Sequence, residues 1–432
     1  MLERLFQLKA HGTNVRKEVI AGITTFLTMA YIIVVNPSML SATGMDFGAV
    51  FVATCLAAVI GTLIMGLWAN YPIALAPGMG LNAFFAFTVV GSMGYSWQVA
   101  LGAVFISGFL FFMLSIFKVR EWIINSIPLS LRFGISAGIG FFLALIALKN
   151  AGIVVDHPAT LVSLGDVTAA ESLLFFGGFI LICALAYRQV TGAVMIGIIA
   201  VTAVAMMLGM VEYNGFMSAP PSLAPTFMQL DLAGALNIGM ISVIFAFLFV
   251  DLFDTSGTLV GAAQRGGLLD KDGKLPRLGR ALMSDSVATM SGAALGTSTT
   301  TSYVESTAGI AAGGRTGLTA VVVAGLFLAC LLFAPIASII PAYATAPALV
   351  YVACLMASGL KLIDWDDITD TAPAIVTALM MPLTFSIAHG IALGFITYVA
   401  VKALAGKWSD LNWSVAVIAI VFVLKFIFLD VA

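Results

Sequence analysis

Four acidic residues sit where an apolar chain has least room for them. Asp251 and Asp254 lie in FAFLFVDLFDTSGTLVG, Phe245 to Gly261, three residues apart on what reads as one helix face. Asp285 lies in LMSDSVATMSG, and Glu305 follows the hydroxyl-rich run TSTTTSYV. A charge at the centre of a bilayer costs roughly 2.5–3.5 kcal/mol on insertion scales, so such residues mark ligand binding, proton carriage or both. Blander roles exist for each. The aspartates could cap a helix ending at Thr255–Gly257, Glu305 could be an ordinary helix N-terminal acid, and Asp285 could be an end residue near Arg280. Against the first, the apolar run resumes after Gly257 and basic residues begin only at Arg265. Against the second, three acids gather in one half of the chain. Asp285 stands on a small-residue helix able to pack closely, where it would hydrogen-bond the aspartates and tune their protonation.

These acids belong with two breaks in otherwise apolar sequence. APGMGLNAFF runs from Ala76 to Phe85, and GTSTTTSYVESTAG from Gly296 to Gly309. Each puts Gly, Pro, Ser or Thr where a membrane helix should be continuous. Each ends on a polar residue, Asn82 or Glu305, where a short helix restarts with its positive dipole end toward the break. The β-branched second run, which includes Thr301, suits a short extended segment. Irregular backbone at membrane depth is tolerated only when buried in protein or lining a cavity. Asn82 offers both a donor and an acceptor. Pro77, Gly78 and Gly80 let the chain turn and let a flat ligand approach the backbone. Phe84 and Phe85 are placed either to stack on a planar ring or to face the core. Matched breaks in two halves of a membrane protein point to a transporter's binding site.

Composition forces the membrane reading. The 432 residues are 61% hydrophobic and 9% charged, with mean hydropathy +1.10, whereas soluble domains carry about 25% charged residues. The net charge of -2 gives no sign of a nucleic-acid partner. Cys55, Cys183, Cys330 and Cys354 lack metal or redox spacing and read as small core residues. The polar N-terminus is not a cleavable signal peptide; residues 2 to 9 suit a short interfacial helix. His389 reads as a structural hinge, and His11 and His157 as surface residues. No nucleotide loop, metal cluster or catalytic triad is found, and GMGLNA lacks the strand–helix–acid context of a Rossmann turn. Neither an enzyme, a cofactor nor a metal is expected.

A span needs about 20 mostly apolar residues. That ruler gives spans near 19–40, 47–68, 97–117, 130–150, 172–187, 190–211, 236–261, 281–296, 316–340, 344–362, 371–388 and 390–405. The breaks open half-spans near 81–94 and 305–314. The fourteen elements divide seven and seven at about residue 215. Lys9, Arg16 and Lys17 place the N-terminus in the cytoplasm. Alternation then puts Lys118, Arg120, Arg188, Arg265 to Arg280, Arg315, Lys361, Lys402 and Lys407 on the same side, with Lys149 the exception. IPLSLRFGISAGIG from Ile127 recurs loosely as APALVYVACLMASG from Ala346. An odd number of spans per half makes the repeats inverted, so the two breaks meet near the bilayer centre.

FVDLFDTSGTLVGAAQRGGLL, the run ALGTSTTTSYVESTAGIAAGGRTGL, and APGMGLNAFF together resemble the nucleobase–cation symporter family, within the nucleobase–ascorbate transporter superfamily. The similarity covers essentially the whole chain and is greatest to its azaguanine-resistance branch, the hypoxanthine, adenine and guanine permeases. It implies an all-α polytopic membrane protein of fourteen segments in two inverted repeats, like the uracil transporter. It further implies a cytoplasmic N-terminus (1–18), a core domain (19–117 and 236–340), a gate domain (128–215 and 344–407), and an apolar tail (408–432) outside that plan. By the same resemblance Asn82, Asp251, Asp254 and Glu305 contact the base, with Thr301, Phe84 and Phe85 as further candidates, and Asp285 supports proton coupling. Other branches carry Glu, His or Gln at the acidic positions, which fits adenine, hypoxanthine or guanine here rather than xanthine or uracil. The implied partners are a purine nucleobase, a proton, the bilayer and a second copy docked through the gate domain. The implied location is a bacterial inner membrane. The competing expectation is an anion transporter on the same fold, for sulfate or bicarbonate-like solutes, because paired helix N-termini favour anions.

Overall fold

In lipid an unpaired backbone group costs several kcal/mol, so apolar runs close their own hydrogen bonds as helices. The computed structural model describes residues 2–116, 128–213, 215–268 and 275–428. After α1 (Leu2–Phe6), the first half runs α2 (Val15–Met29), α3 (Ile32–Ser41), α4 (Phe47–Ile64), α5 (Met79–Ala83), α6 (Trp97–Ile116), α7 (Leu129–Asn150), α8 (Ala170–Tyr187) and α9 (Ala193–Met207). A short α10 (Leu232–Ala235) leads into α11 (Ile241–Gly266), α12 (Leu278–Leu295), α13 (Ser306–Ala311), α14 (Gly317–Cys330) and α15 (Ala334–Ser338). The chain finishes with α16 (Ala342–Ala357), α17 (Ile368–Leu383), α18 (Ile387–Leu404) and α19 (Trp413–Phe428). Widened π-helical turns extend α4 to Ala69 and α5 to Ser92.

Among the described residues, nine helices are long and apolar enough to cross a membrane, some of them joined across short breaks. Shorter apolar helices stand at Met79–Ser92, Ala193–Met207, Ile368–Leu383 and Trp413–Leu424. A count of fourteen also takes in short or polar elements such as α12 and α13. Lys118, Arg120 and residues 269–274 of the expected basic stretch lie outside the described residues. Packing gathers the helices into two groups. In one, α2, α3, α4, α6, α11, α12, α13 and α14 pack on one another; in the other, α7 packs on α16 and α17, α17 on α18, and α8 and α9 on α16.

The two breaks meet. β1 (Leu75–Pro77) pairs antiparallel with β4 (Thr300–Ser302), matching Leu75 with Ser302, Ala76 with Thr301 and Pro77 with Thr300. Gly78 N–H donates to the Thr299 carbonyl at 2.8 Å, and Tyr303 N–H to Ala74 at 2.9 Å. Neighbouring hydroxyls serve what the pairing leaves over. Thr62 accepts from Leu75 N at 2.9 Å and donates to its carbonyl at 3.1 Å. Ser306 accepts from Ala74 N at 3.0 Å, and Tyr303 donates to the Pro77 carbonyl at 2.6 Å. All of this lies inside buried protein.

Several expectations change in detail. The span foreseen at 19–40 is two helices, α2 and α3, joined through Ala30 and Tyr31; Pro37 within α3 lacks an N–H for the ladder. The loop at 152–171 holds a hairpin, β2 (Val154–His157) with β3 (Leu161–Leu164). Cys354 is exposed rather than in the core. Lys402 lies in the last turn of α18. Its side chain is 2% exposed and lies 3.1 Å from both Asp370 and Asp410, at the end where Lys407 meets Asp367 at 2.6 Å. The tail helix α19 lies along α18, with Phe422 6.1 Å from Phe395 and Phe426 5.8 Å from His389.

Two outcomes follow from this packing. A β-carbon on Gly309 would sit on the Thr25 hydroxyl and 2.5 Å from the Ala21 carbonyl oxygen, so Gly309→Ala pushes α13 off α2. Overpacking of this kind costs about 1–3 kcal/mol, and a thermal melt of the variant should fall accordingly. The Lys407 ammonium, with Thr369, holds the Asp367 carboxyl well below the usual carboxylate range. A depressed folded-state value means this stabilisation is complete above the unfolded value near 3.8 and fades as pH falls below it. Wild type should therefore melt above Asp367→Asn at neutral pH, and the difference should shrink below pH of about 4.

Candidate functional site

The crossing of β1 and β4 brings the foreseen acids together, in two pairs. Asp251 and Asp285 form the inner pair, from α11 and α12, each 1% exposed or less. Their carboxyls lie against each other. The Thr289 hydroxyl is within hydrogen-bond distance of Asp251 Oδ2, at 3.2 Å, and of the Thr300 carbonyl, at 3.0 Å. Ser302 Oγ donates to Asp285 Oδ1 at 3.1 Å. Among the described residues, Asp251 Oδ1 and Asp285 Oδ2 have no hydrogen-bond partner. Both members of this pair are thereby tied to the crossing strand β4.

Asp254 and Glu305 form the outer pair. Asp254 lies near Glu305 and Thr301, and its side chain is exposed although it sits mid-helix in α11. Glu305 is half-buried at the start of α13, and Val304 beside it is 53% exposed. Exposed groups at the meeting of two buried strands are the wall of an opening. Asp251 and Asp254 thus part company. Three residues along a helix turn the side chain by 300°, enough here for one acid to face α12 and the other the opening.

Asn82 is completely buried in α5, and among the described residues neither its Nδ2 nor its Oδ1 has a hydrogen-bond partner. A buried amide left unpaired costs free energy and calls for a partner from outside the chain. Thr301 is buried beside Gly78 of the first break. Phe84 and Phe85 have no exposed surface in this conformation, and Phe84 packs edge-on against Phe247 with ring centroids 5.0 Å apart. His389 stands in the first turn of α18, where its N–H donates to Ser386 Oγ at 3.3 Å.

Two members of the site escaped sequence reasoning. Tyr31, at the α2–α3 junction and 2% exposed, donates its hydroxyl to Glu305 Oε1 at 2.6 Å. Nothing in AYIIVV marks that tyrosine by spacing or charge. Thr289 was visible only as one of several small residues on α12. The arrangement offers carboxylate acceptors, an amide with free donor and acceptor, and a carboxyl pair able to hold a proton. That suits a neutral ligand with donor and acceptor edges. Among the described residues no cluster of His, Cys, Asp and Glu is arranged to hold a metal ion.

The family model and the sequence relatives agree on one family. A family model described as a permease family matches residues 16–393. The chain is 52% identical over 430 residues to the adenine permease AdeP of Escherichia coli, spanning 100% of this chain and 97% of that one. It is 47% identical over 440 residues to the guanine/hypoxanthine permease PbuG of Bacillus subtilis, spanning 99% and 100%. Among solved structures it is similar to the transmembrane domain of the cyanobacterial bicarbonate transporter BicA. There the TM-score is 0.66 at 16% identity, over 87% of this chain and 97% of that one; at that identity the likeness speaks for the fold alone. The family and the relatives are permeases, not enzymes, and the fold is that of the uracil transporter. The chain is a multi-pass membrane permease of the nucleobase–ascorbate transporter family.

Proposed function

We propose that this permease imports purine nucleobases of the adenine, hypoxanthine and guanine set together with protons, by alternating access. The observation that carries the reading is the pairing of acids at the strand crossing, an outer pair at an opening and an inner pair behind it. The names of relatives about half identical along their whole length support the substrate class. Sulfate or bicarbonate-like solutes fit worse, because Asp254 and Glu305 at the opening repel anions.

A purine presents ring N–H and amino donors beside ring-nitrogen and carbonyl acceptors. Glu305 and Asp254 accept from its donors, and Asn82 and Thr301 pair with its acceptors. Tyr31, spent on one Glu305 oxygen, leaves the other for the base. Phe84 and Phe85 stack on the ring once the site closes. An ionised carboxylate only accepts hydrogen bonds, so two of them side by side without a cation need a proton between them. The pair of Asp251 and Asp285 takes that proton first, the base then binds, and the assembly opens inward. Asp254 and Glu305 take part in the same proton balance through their proximity.

The helix group around β1 and β4 acts as the core and the group around α7, α16 and α17 as the gate. Fourteen segments are counted with the short elements included. The N-terminus faces the cytoplasm of a bacterial inner membrane, and two copies associate through their gates.

Asp251→Ala and Glu305→Ala should each abolish uptake of labelled adenine, hypoxanthine and guanine while leaving the protein in the membrane at normal amounts. Normal purine uptake by either variant would refute the assignment. Tyr31→Phe removes one hydrogen bond to a charged group, worth about 1.5–3 kcal/mol, so the KM for uptake should rise about tenfold or more with the maximal rate largely kept.

A further inference from the structure

Glu18 is a carboxylate that the site as described does not use. It stands in the first turn of α2, 0% exposed, far along the chain from every acid at the crossing. Among the described residues, the hydrogen-bond partners of its carboxylate lie in one segment, 315–319, at the start of α14. Oε1 accepts from Arg315 N at 2.9 Å. Oε2 accepts from Thr316 N at 3.2 Å, Thr319 N at 3.3 Å and Thr319 Oγ1 at 2.7 Å. The first amide groups of a helix have no partner within it. Glu18 supplies partners here, with Asn70 Oδ1 taking Gly317 N at 2.7 Å and Thr316 Oγ1 taking Leu318 N at 3.4 Å.

The same segment holds the half-helix that begins at Glu305. The Arg315 guanidinium donates from Nη1 to the carbonyls of Ile310, at 2.6 Å, and Gly314, at 2.8 Å, at the far end of α13. Gly309 and Gly314 bring that turn against Ala21 and Thr25 of α2. Tyr31, just beyond the other end of α2, holds Glu305 itself. Thus α2 grips α13 at both ends, through Tyr31 directly and through Glu18 by way of residues 314–319. A six-residue helix has too few internal hydrogen bonds to hold its own position.

We infer that Glu18 is a remote positioning residue for Glu305: its grip on residues 315–319 sets the distance at which the Glu305 carboxylate meets the base. This rests on the purine reading above. A small displacement of a binding group far from the site that causes it can cost up to about a hundredfold.

The test measures uptake kinetics and adenine, hypoxanthine and guanine binding for wild type, Glu18→Gln, Thr319→Val, Tyr31→Phe and the Glu18→Gln/Tyr31→Phe pair. Glu18→Gln should raise KM and Kd about tenfold and Thr319→Val about threefold, with maximal rate per folded transporter kept. Both grips act on one helix, so the double variant should fall clearly short of the product of the single effects. A purely structural Glu18 would lower the amount of folded transporter and the maximal rate while leaving KM and Kd at the wild-type value. That result, or multiplicative effects in the double variant, overturns the inference. If Glu18→Gln does not fold, an unchanged KM in Thr319→Val overturns it equally. Failure of wild type to bind any of the three purines would instead overturn the purine reading.

Discussion

A bilayer offers no water to a broken helix, and this permease answers by making its two breaks satisfy each other. β1 and β4 come from opposite halves of the chain, and neither could remain extended at membrane depth alone. Their pairing, completed by the hydroxyls of Thr62, Ser306 and Tyr303, is what permits irregular backbone in the middle of the molecule. The strand crossing in turn fixes everything that carries chemistry. The Thr300 carbonyl meets Thr289, the hydroxyl neighbour of Asp251, Ser302 donates to Asp285, and Glu305 emerges three residues after β4 ends.

The halves are symmetric in path and unequal in content. The first brings an unpartnered amide, Asn82, and backbone; the second brings the acids. Buried polar groups are tolerated when partnered, and the inner acids are only half so. Thr289 and Ser302 serve one oxygen of each, and among the described residues Asp251 Oδ1 and Asp285 Oδ2 have no partner. A proton shared there would complete the bonding, and on the proposed reading its arrival or departure would change what β4 is held by. On that reading, proton and base would be linked through one short strand rather than through direct contact.

The parts of this account visible in the sequence are those that lipid penalises. Charges, prolines and hydroxyl runs inside apolar spans stand out because they cost free energy there, which is why Asp251, Asp254, Asp285, Glu305 and both breaks were legible. Residues whose types are unremarkable in their surroundings were not. Tyr31 is one aromatic in an apolar run, and Glu18 sits beside Arg16 and Lys17 in what reads as a polar flank. Both matter only through where the fold carries residues some 275 to 300 positions later. Helical spacing also misled in one place. Asp251 and Asp254 share a face by rule of thumb, yet the close approach of α12 separates their surroundings. The burial of Lys402 was not legible either, because its three acidic neighbours lie up to 35 residues away in sequence, and their convergence is a matter of tertiary structure.

Competition binding to the purified permease bears most directly on what the crossing recognises. Adenine, hypoxanthine, guanine, xanthine, uracil and sulfate would be titrated against wild type and against Glu305→Gln. The account predicts saturable binding of one or more of the first three, weak or no binding of xanthine and uracil, none of sulfate, and loss of the purine signal in the variant. Sulfate binding without purine binding, or purine binding untouched by Glu305→Gln, would contradict it.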